Sequence, residues 1–239
     1  ICVAHSQGGI AYLLVQALEN ALRDADSSRH AACLLTQVEV DEDDPAFDSP
    51  SKFIGAFYTE EEACRIEVEM GWRMKEDSGR GWRHVVPSPK PLHVCDISLV
   101  QVLARRGTIV IAGGGGGIPV VRGPKGIRRG VQAVIDKDLT SAHMANVLGI
   151  ELLMILTAVP RVAVNFGKPE QRELDQVTMR ELRALHAEGH FPPGSMGPKI
   201  DAALRFLEGG GERVIIAHLD EAMIALHGET GTHVLAEDA

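Results

Sequence analysis

Four short stretches of this sequence hold residue types that could handle a phosphate-bearing ligand. Gly113-Gly114-Gly115-Gly116-Gly117 directly follows the apolar run 108–112. Backbone without side chains can approach an anion closely and offer several N–H groups at once. A glycine run elsewhere would read as a flexible turn; placed straight after an apolar strand, it favours phosphate binding. No Gly-Lys-Ser/Thr follows, so it is not a Walker loop, and Pro119 with its polar sequel is not the helix of a Rossmann fingerprint. Asp136-Lys137-Asp138 sits at a strand-to-helix junction. Taken alone, a capping Asp and a solvated Lys137 explain it somewhat better than chemistry does. The chemical reading has Lys137 neutralising a transferring phosphoryl group while an Asp orients lysines or magnesium. Gly194-Ser195-Met196-Gly197-Pro198-Lys199 puts a lysine in the first turn of a helix, against the macrodipole. That placement makes sense if lysine and helix N-terminus share one anion, although an ordinary first-turn lysine is the alternative. Lys52 alone carries no information. Three lysines and a glycine loop together point toward phosphoryl transfer by positioning and electrostatics, with no protein nucleophile.

These residues need a frame. The chain of 239 residues is long enough for one large α/β domain or two small ones, and 45% hydrophobic with 24% charged residues is ordinary for a globular protein. The net charge of −9 argues against nucleic acid as a partner. No window reaches the roughly 18 apolar residues of a membrane span, and no signal peptide is visible. Cys2, Cys33, Cys64 and Cys95 form no CxxC pair and read as free thiols of a cytoplasmic protein; the ten histidines show no metal-binding spacing, so no metal ligands are expected.

Apolar spacing predicts an opening helix from an N-cap at Ser6, a β-type run over 31–40, a helix over 97–105 and a strand over 108–112. A strand over 131–135, a helix over 139–148 and a buried strand over 152–157 follow. Thr178-Met179-Arg180-Glu181 reads as a capping box. A helix begins at Ser195 with Pro198 in its first turn, residues 213–217 form a strand, and a last helix covers 220–227. Residues 41–89 differ in character: they are rich in aromatics, carry the charged helical stretch 60–69 and end in Pro87-Ser88-Pro89. They are expected to form an inserted lid subdomain on a single domain spanning 1–239, with 90–239 as the nucleotide-binding part. The alternation of strands and helices predicts an α/β fold with a mainly parallel sheet covered on both faces, binding ligands beyond the carboxyl ends of its strands.

Read together, the segments resemble carbamate kinase, of the amino acid kinase superfamily. The resemblance runs through Leu34-Leu35-Thr36-Gln37-Val38, Asp44-Pro45-Ala46-Phe47, the stretch from Lys52-Phe53-Ile54-Gly55 to Ala63, and Gly79-Arg80-Gly81-Trp82-Arg83. It continues through Val85-Val86-Pro87-Ser88-Pro89, the glycine loop, Ala133-Val134-Ile135-Asp136-Lys137-Asp138, Asn165-Phe166-Gly167-Lys168-Pro169, and Gly189-His190-Phe191 with the stretch ending at Lys199. Each is weak singly, but their order and spacing are specific, and the Lys52 stretch separates this family from its relatives.

The resemblance implies an open three-layer αβα sandwich, a protruding lid and a homodimer. It implies reversible phosphoryl transfer between ATP and carbamate, giving ADP and carbamoyl phosphate, often run toward ATP at the end of arginine breakdown. Lys52 would reach from the lid toward carbamoyl phosphate. Lys137 and Lys199 would bracket the transferring group, with Asp138 orienting both, and residues 113–117 would lie beside carbamoyl phosphate. Thr157, Ala158, Val159, Val164, Asn165, Met196 and Gly197 would line the nucleotide, with Mg2+ held by phosphate oxygens and water. The family's opening strand with its Gly-Gly-Asn-Ala loop, and a later His-Gly-Asn-Gly-Pro loop, do not occur in the sequence, which begins at Ile1. These residues alone are therefore expected to be nearly inactive. His5, Ala158 and Pro160 depart from the usual pattern, the last two where acidic residues are common beside the nucleotide. Another amino acid kinase, or a non-catalytic nucleotide-binding or dimerising protein, are the competing readings.

Overall fold

A computed structural model describes residues 1–236 apart from Ser78 and Pro193, and the chain divides into two units, Ile1–Lys137 and Asp138–Ala239. The first contains α1 (Cys2–Asp24), β1 (Ala31–Cys33), β2 (Gln37–Glu39), β3 (Lys52–Tyr58), α2 (Glu60–Met70), β4 (Met74–Glu76), β5 (Trp82–Val86), β6 (His93–Val94), α3 (Ile97–Arg105), β7 (Ile109–Ile111), β8 (Ile118–Arg122) and β9 (Arg128–Gly130).

Two parallel pairings organise this unit: β1 beside β7, and β2 beside β8. Both strand runs are interrupted at the same level, by residues 34–36 on one side and by the glycine loop on the other. The expected single β run over 31–40 is thus two strands. Antiparallel β6 and β9 extend the second pairing into a sheet of order β6-β2-β8-β9, while β3-β5-β4 form a separate antiparallel sheet beside α2. α2 begins with a reciprocal capping box at Thr59 and Glu62 and ends at Gly71 in the left-handed conformation.

α4 (Lys137–Leu148) leads into the second unit, followed by β10 (Leu152–Thr157), β11 (Ala163–Val164), β12 (Arg172–Glu173), β13 (Gln176–Thr178), α5 (Met179–Ala187), α6 (Gly197–Glu208), β14 (Arg213–His218), α7 (Ala222–Leu226) and β15 (Thr232–Leu235). The sheet order is β10-β14-β15-β13; β10–β14 and β13–β15 are parallel and β14–β15 antiparallel. β14 is apolar on both faces because both are covered. Val214 and Ile216 join the cluster containing Ile200, Ala203, Leu204 and Phe206 of α6, while Ile215 and Ala217 pack with Ala225 of α7. Burying a side chain such as Phe206 completely contributes roughly 1.5–3 kcal/mol. The architecture is α/β as expected: antiparallel edge strands flank the parallel β2–β8 pair in the first unit, and the antiparallel β14–β15 pair joins two parallel pairs in the second.

Three local expectations are corrected. α1 starts at Cys2, so Ser6 is not its cap but lies inside the helix, donating to the Cys2 carbonyl at 3.0 Å. α6 is capped by Met196, not Ser195, and this cap makes no side-chain hydrogen bond. Residues 131–135 form no ladder; the strand there is the preceding Arg128–Gly130, and the Val134 amide donates to Pro87 O instead. Among the described residues no helix is long and apolar enough to cross a membrane.

Candidate active site

In the first unit, the glycine loop is held by two side chains. Gln7, buried, accepts from the Thr36 amide at 2.9 Å and donates to Gly114 O at 2.8 Å. Thr36 Oγ1 accepts from the Gly113 amide at 2.8 Å and donates to Leu34 O at 2.8 Å. The loop itself is one tight turn: the Gly116 amide donates to Gly113 O and the Gly117 amide to Gly114 O. Gly116 and Gly117 have φ of 90° and 96°, and a Cβ on them would lie 2.0 Å from Ile135 O and 2.2 Å from Val38 Cγ2. No other residue fits there, for conformation and for space. The amides of Gly113, Gly116 and Gly117 are therefore committed internally, whereas those of exposed Gly114 and Gly115 take part in none of these bonds. A groove beside Gly114 and Gly115, about 170 Å³, is walled mainly by apolar side chains, among them Ile10, Leu14, Leu34 and Ile111, with Ser6 and Gln7.

Lys52 is the first residue of β3, paired across the ladder with Val86, next to the Pro87-Ser88-Pro89 stretch. Its Nζ donates to Asp136 Oδ2 at 2.6 Å, with Asp136 only 6% exposed. Asp136 follows Ile135, whose carbonyl abuts Gly116, so the carboxylate is placed by the same packing that shapes the glycine loop. Lys137 comes next, exposed, as the first residue of α4.

In the second unit, Asp138 lies in the first turn of α4 and Lys199 in the first turn of α6. Lys199 Nζ donates to Asp138 Oδ2 at 2.8 Å, and the two side chains are 12% and 10% exposed. The cation that is misplaced against the α6 dipole is thus offset by a buried carboxylate from another helix. Thr157 ends β10 and Ala158 and Val159 follow in a bend; Val164 is buried in β11. Asn165 takes a left-handed conformation with φ 54° and donates from Nδ2 to Glu170 O at 3.4 Å. Met196 caps α6, and the Gly197 amide donates to Pro192 O at 2.8 Å, close enough that a Cβ on Gly197 would lie 2.9 Å from that oxygen.

Of the two lysines that Asp138 was expected to orient, Lys199 stands within ion-pair distance of it. Lys52, expected to reach toward carbamoyl phosphate, is engaged by Asp136, to which the resemblance assigns no role. The signal for Asp136 lay in its place within Asp136-Lys137-Asp138, but nothing local could name a partner 84 residues away. Within each unit a buried carboxylate accepts from an ammonium, so neither carboxylate is set up as a nucleophile.

Comparison with known proteins agrees with this chemistry. Residues 3–218 match the model of the amino acid kinase family. The carbamate kinase of Pyrococcus furiosus is 50% identical over 232 residues, covering 97% of this chain and 74% of that protein. That of Thermococcus kodakarensis is 49% identical over 234 residues, covering 98% and 74%. The structure of carbamate kinase from Giardia lamblia bound to AMP-PNP is 42% identical and superposes with a TM-score of 0.87 over 98% of this chain and 74% of that one. The chain therefore spans about three quarters of the length of these relatives. It belongs to the amino acid kinase family, among the carbamate kinases.

Proposed function

We propose that the chain carries out phosphoryl transfer between ATP and carbamate, reversibly, with ADP and carbamoyl phosphate as products. The observation that carries this reading is the placement of Asp136 and Asp138, each bonded to a distant lysine, on either side of Lys137 in the chain. In the forward direction a carbamate oxygen attacks the γ-phosphorus and the bond to the β–γ bridging oxygen breaks, so that ADP leaves with that oxygen's electrons. Negative charge on the three equatorial oxygens is what catalysis must stabilise. Lys137 and Lys199 neutralise it, Asp138 fixes Lys199, and the Gly114 and Gly115 amides bind the carbamoyl phosphate end. Residues 41–89 act as the lid that brings Lys52 to that end. Thr157, Ala158, Val159, Val164, Asn165, Met196 and Gly197 hold the nucleotide.

Magnesium arrives with the nucleotide. Among the described residues no group of three or more His, Cys, Asp or Glu is arranged to hold a metal, and the two site carboxylates are occupied by lysines. The ion would be held mainly through phosphate oxygens and water. Homodimerisation, a cytoplasmic location and an ATP-forming role in arginine breakdown belong to the same proposal.

The test is 31P NMR of ADP, magnesium and carbamoyl phosphate with this chain, and with a fusion carrying the amino-terminal segment of the Pyrococcus furiosus relative. Growth of ATP resonances as carbamoyl phosphate disappears is expected in the fusion. Hydrolysis to free phosphate without ATP, in a folded fusion that binds ADP, would overturn the reading.

A further inference from the structure

Asp136 and Lys52 meet from positions 84 residues apart, the carboxylate buried and the lysine side chain 34% exposed. A carboxylate that deep needs a cation or several N–H donors, and the cation it takes is supplied by β3, whose ladder partner is β5. An ammonium has three N–H donors. One is spent on Asp136 Oδ2, and the partial exposure of Lys52 leaves the others reachable by a ligand oxygen. The residue just before it, Ile135, runs so close to Gly116 that a Cβ there would meet the Ile135 carbonyl oxygen at 2.0 Å, which ties the backbone at Asp136 to the glycine loop. Whatever places Asp136 relative to the glycine loop therefore places the Lys52 ammonium too.

We propose that Asp136 is the positioning residue for Lys52, fixing one N–H of its ammonium so that the remaining donors meet the phosphoryl oxygens of carbamoyl phosphate beside Gly114 and Gly115. Asp136 touches no reacting atom and exchanges no proton. The idea rests on the phosphoryl-transfer reading above, and the test separates the two.

Two readouts are needed. The first is steady-state ATP formation by the more active of the two protein forms, for Asp136→Asn, Lys52→Met and the double variant. Each single variant is expected to lower kcat/KM for carbamoyl phosphate about a hundredfold, the scale of a misplaced reacting group. The KM for ADP stays put, and the double variant is no worse than Lys52→Met. Asp136→Glu, which keeps the charge but shifts it by one methylene, is expected to fall between wild type and Asp136→Asn, and carries the test if the latter fails to fold. The second readout needs no turnover: acetylation of Lys52, followed by mass spectrometry, with inorganic phosphate as the probe. Lys52 should acetylate several-fold faster in Asp136→Asn than in wild type, and its protection should need about tenfold more phosphate. Losses that multiply in the double variant, or a Lys52 reactivity indifferent to residue 136, would overturn the proposal. If wild type makes no ATP while Lys52 labelling responds as described, the reaction assignment fails and the positioning role stands.

Discussion

Lys199 Nζ and Asp138 Oδ2 stand 2.8 Å apart with their side chains 12% and 10% exposed, so each helps to compensate the other for leaving water. Such a pair adds little net stability, but its halves cannot be removed singly without leaving a buried charge. Lys199→Ala is expected to destabilise the protein by about 3–5 kcal/mol, read by urea denaturation. Lys199→Met combined with Asp138→Leu should recover most of that loss and none of the activity. If the double replacement is as unstable as the single, burial of an uncompensated carboxylate is not the cause.

The glycine loop makes a sharper prediction because its members differ. Gly116→Ala and Gly117→Ala combine a left-handed backbone with a Cβ at 2.0 Å from Ile135 O or 2.2 Å from Val38 Cγ2. Each should lose well over the 1–2 kcal/mol of the conformational cost alone. Gly114→Ala, whose Cβ would meet only Gln7 Cγ at 3.3 Å, should keep its thermal midpoint close to wild type. Equal midpoints for all three alanine variants would contradict the packing described.

Asp77 provides a pH signature in the segment that carries Lys52. Its hydrogen bond with Arg80 holds the carboxyl below its ordinary value of 3.8, opposed by desolvation and aided by Arg83. Arg83 in turn packs over the Phe57 and Phe53 rings, at 4.9 and 5.9 Å. With the folded value depressed, the stabilisation is complete above pH 3.8 and fades as pH falls through the lower folded value. The only two tryptophans, Trp72 and Trp82, lie in this segment, so intrinsic fluorescence reports on it directly. Asp77→Asn should flatten the acid limb of that titration. An unchanged acid limb would mean that another carboxylate controls the segment.

Much of the frame was legible in the sequence because it is written in local terms. Apolar spacing placed the helix Ile97–Arg105 and the buried strand Leu152–Thr157, and Thr178 with Glu181 forms the reciprocal capping box expected. What escaped was decided by distant partners. Thr232–Leu235 is a short strand that includes buried Thr232 and His233, and only its place between β14 and β13 makes it a strand. Residues 131–135 look like a strand but lose ladder pairing to single bonds with Pro119 and Pro87. In the candidate site, the glycine run and the three lysines were legible as types. The pairings Lys52–Asp136 and Lys199–Asp138 were not, since a separation of 84 or 61 residues leaves no periodic trace.

The most direct test of the account is coupled ATP formation from ADP and carbamoyl phosphate, comparing wild type with Lys137→Ala in the fusion protein. Residue 137 is exposed, so the substitution should leave the fold intact, and loss of a preorganised cation should lower kcat by about a hundredfold or more. The account predicts ATP formation in wild type and its near-abolition in a folded Lys137→Ala. Undiminished turnover in that variant would contradict the assignment of Lys137 to the transferring phosphoryl group.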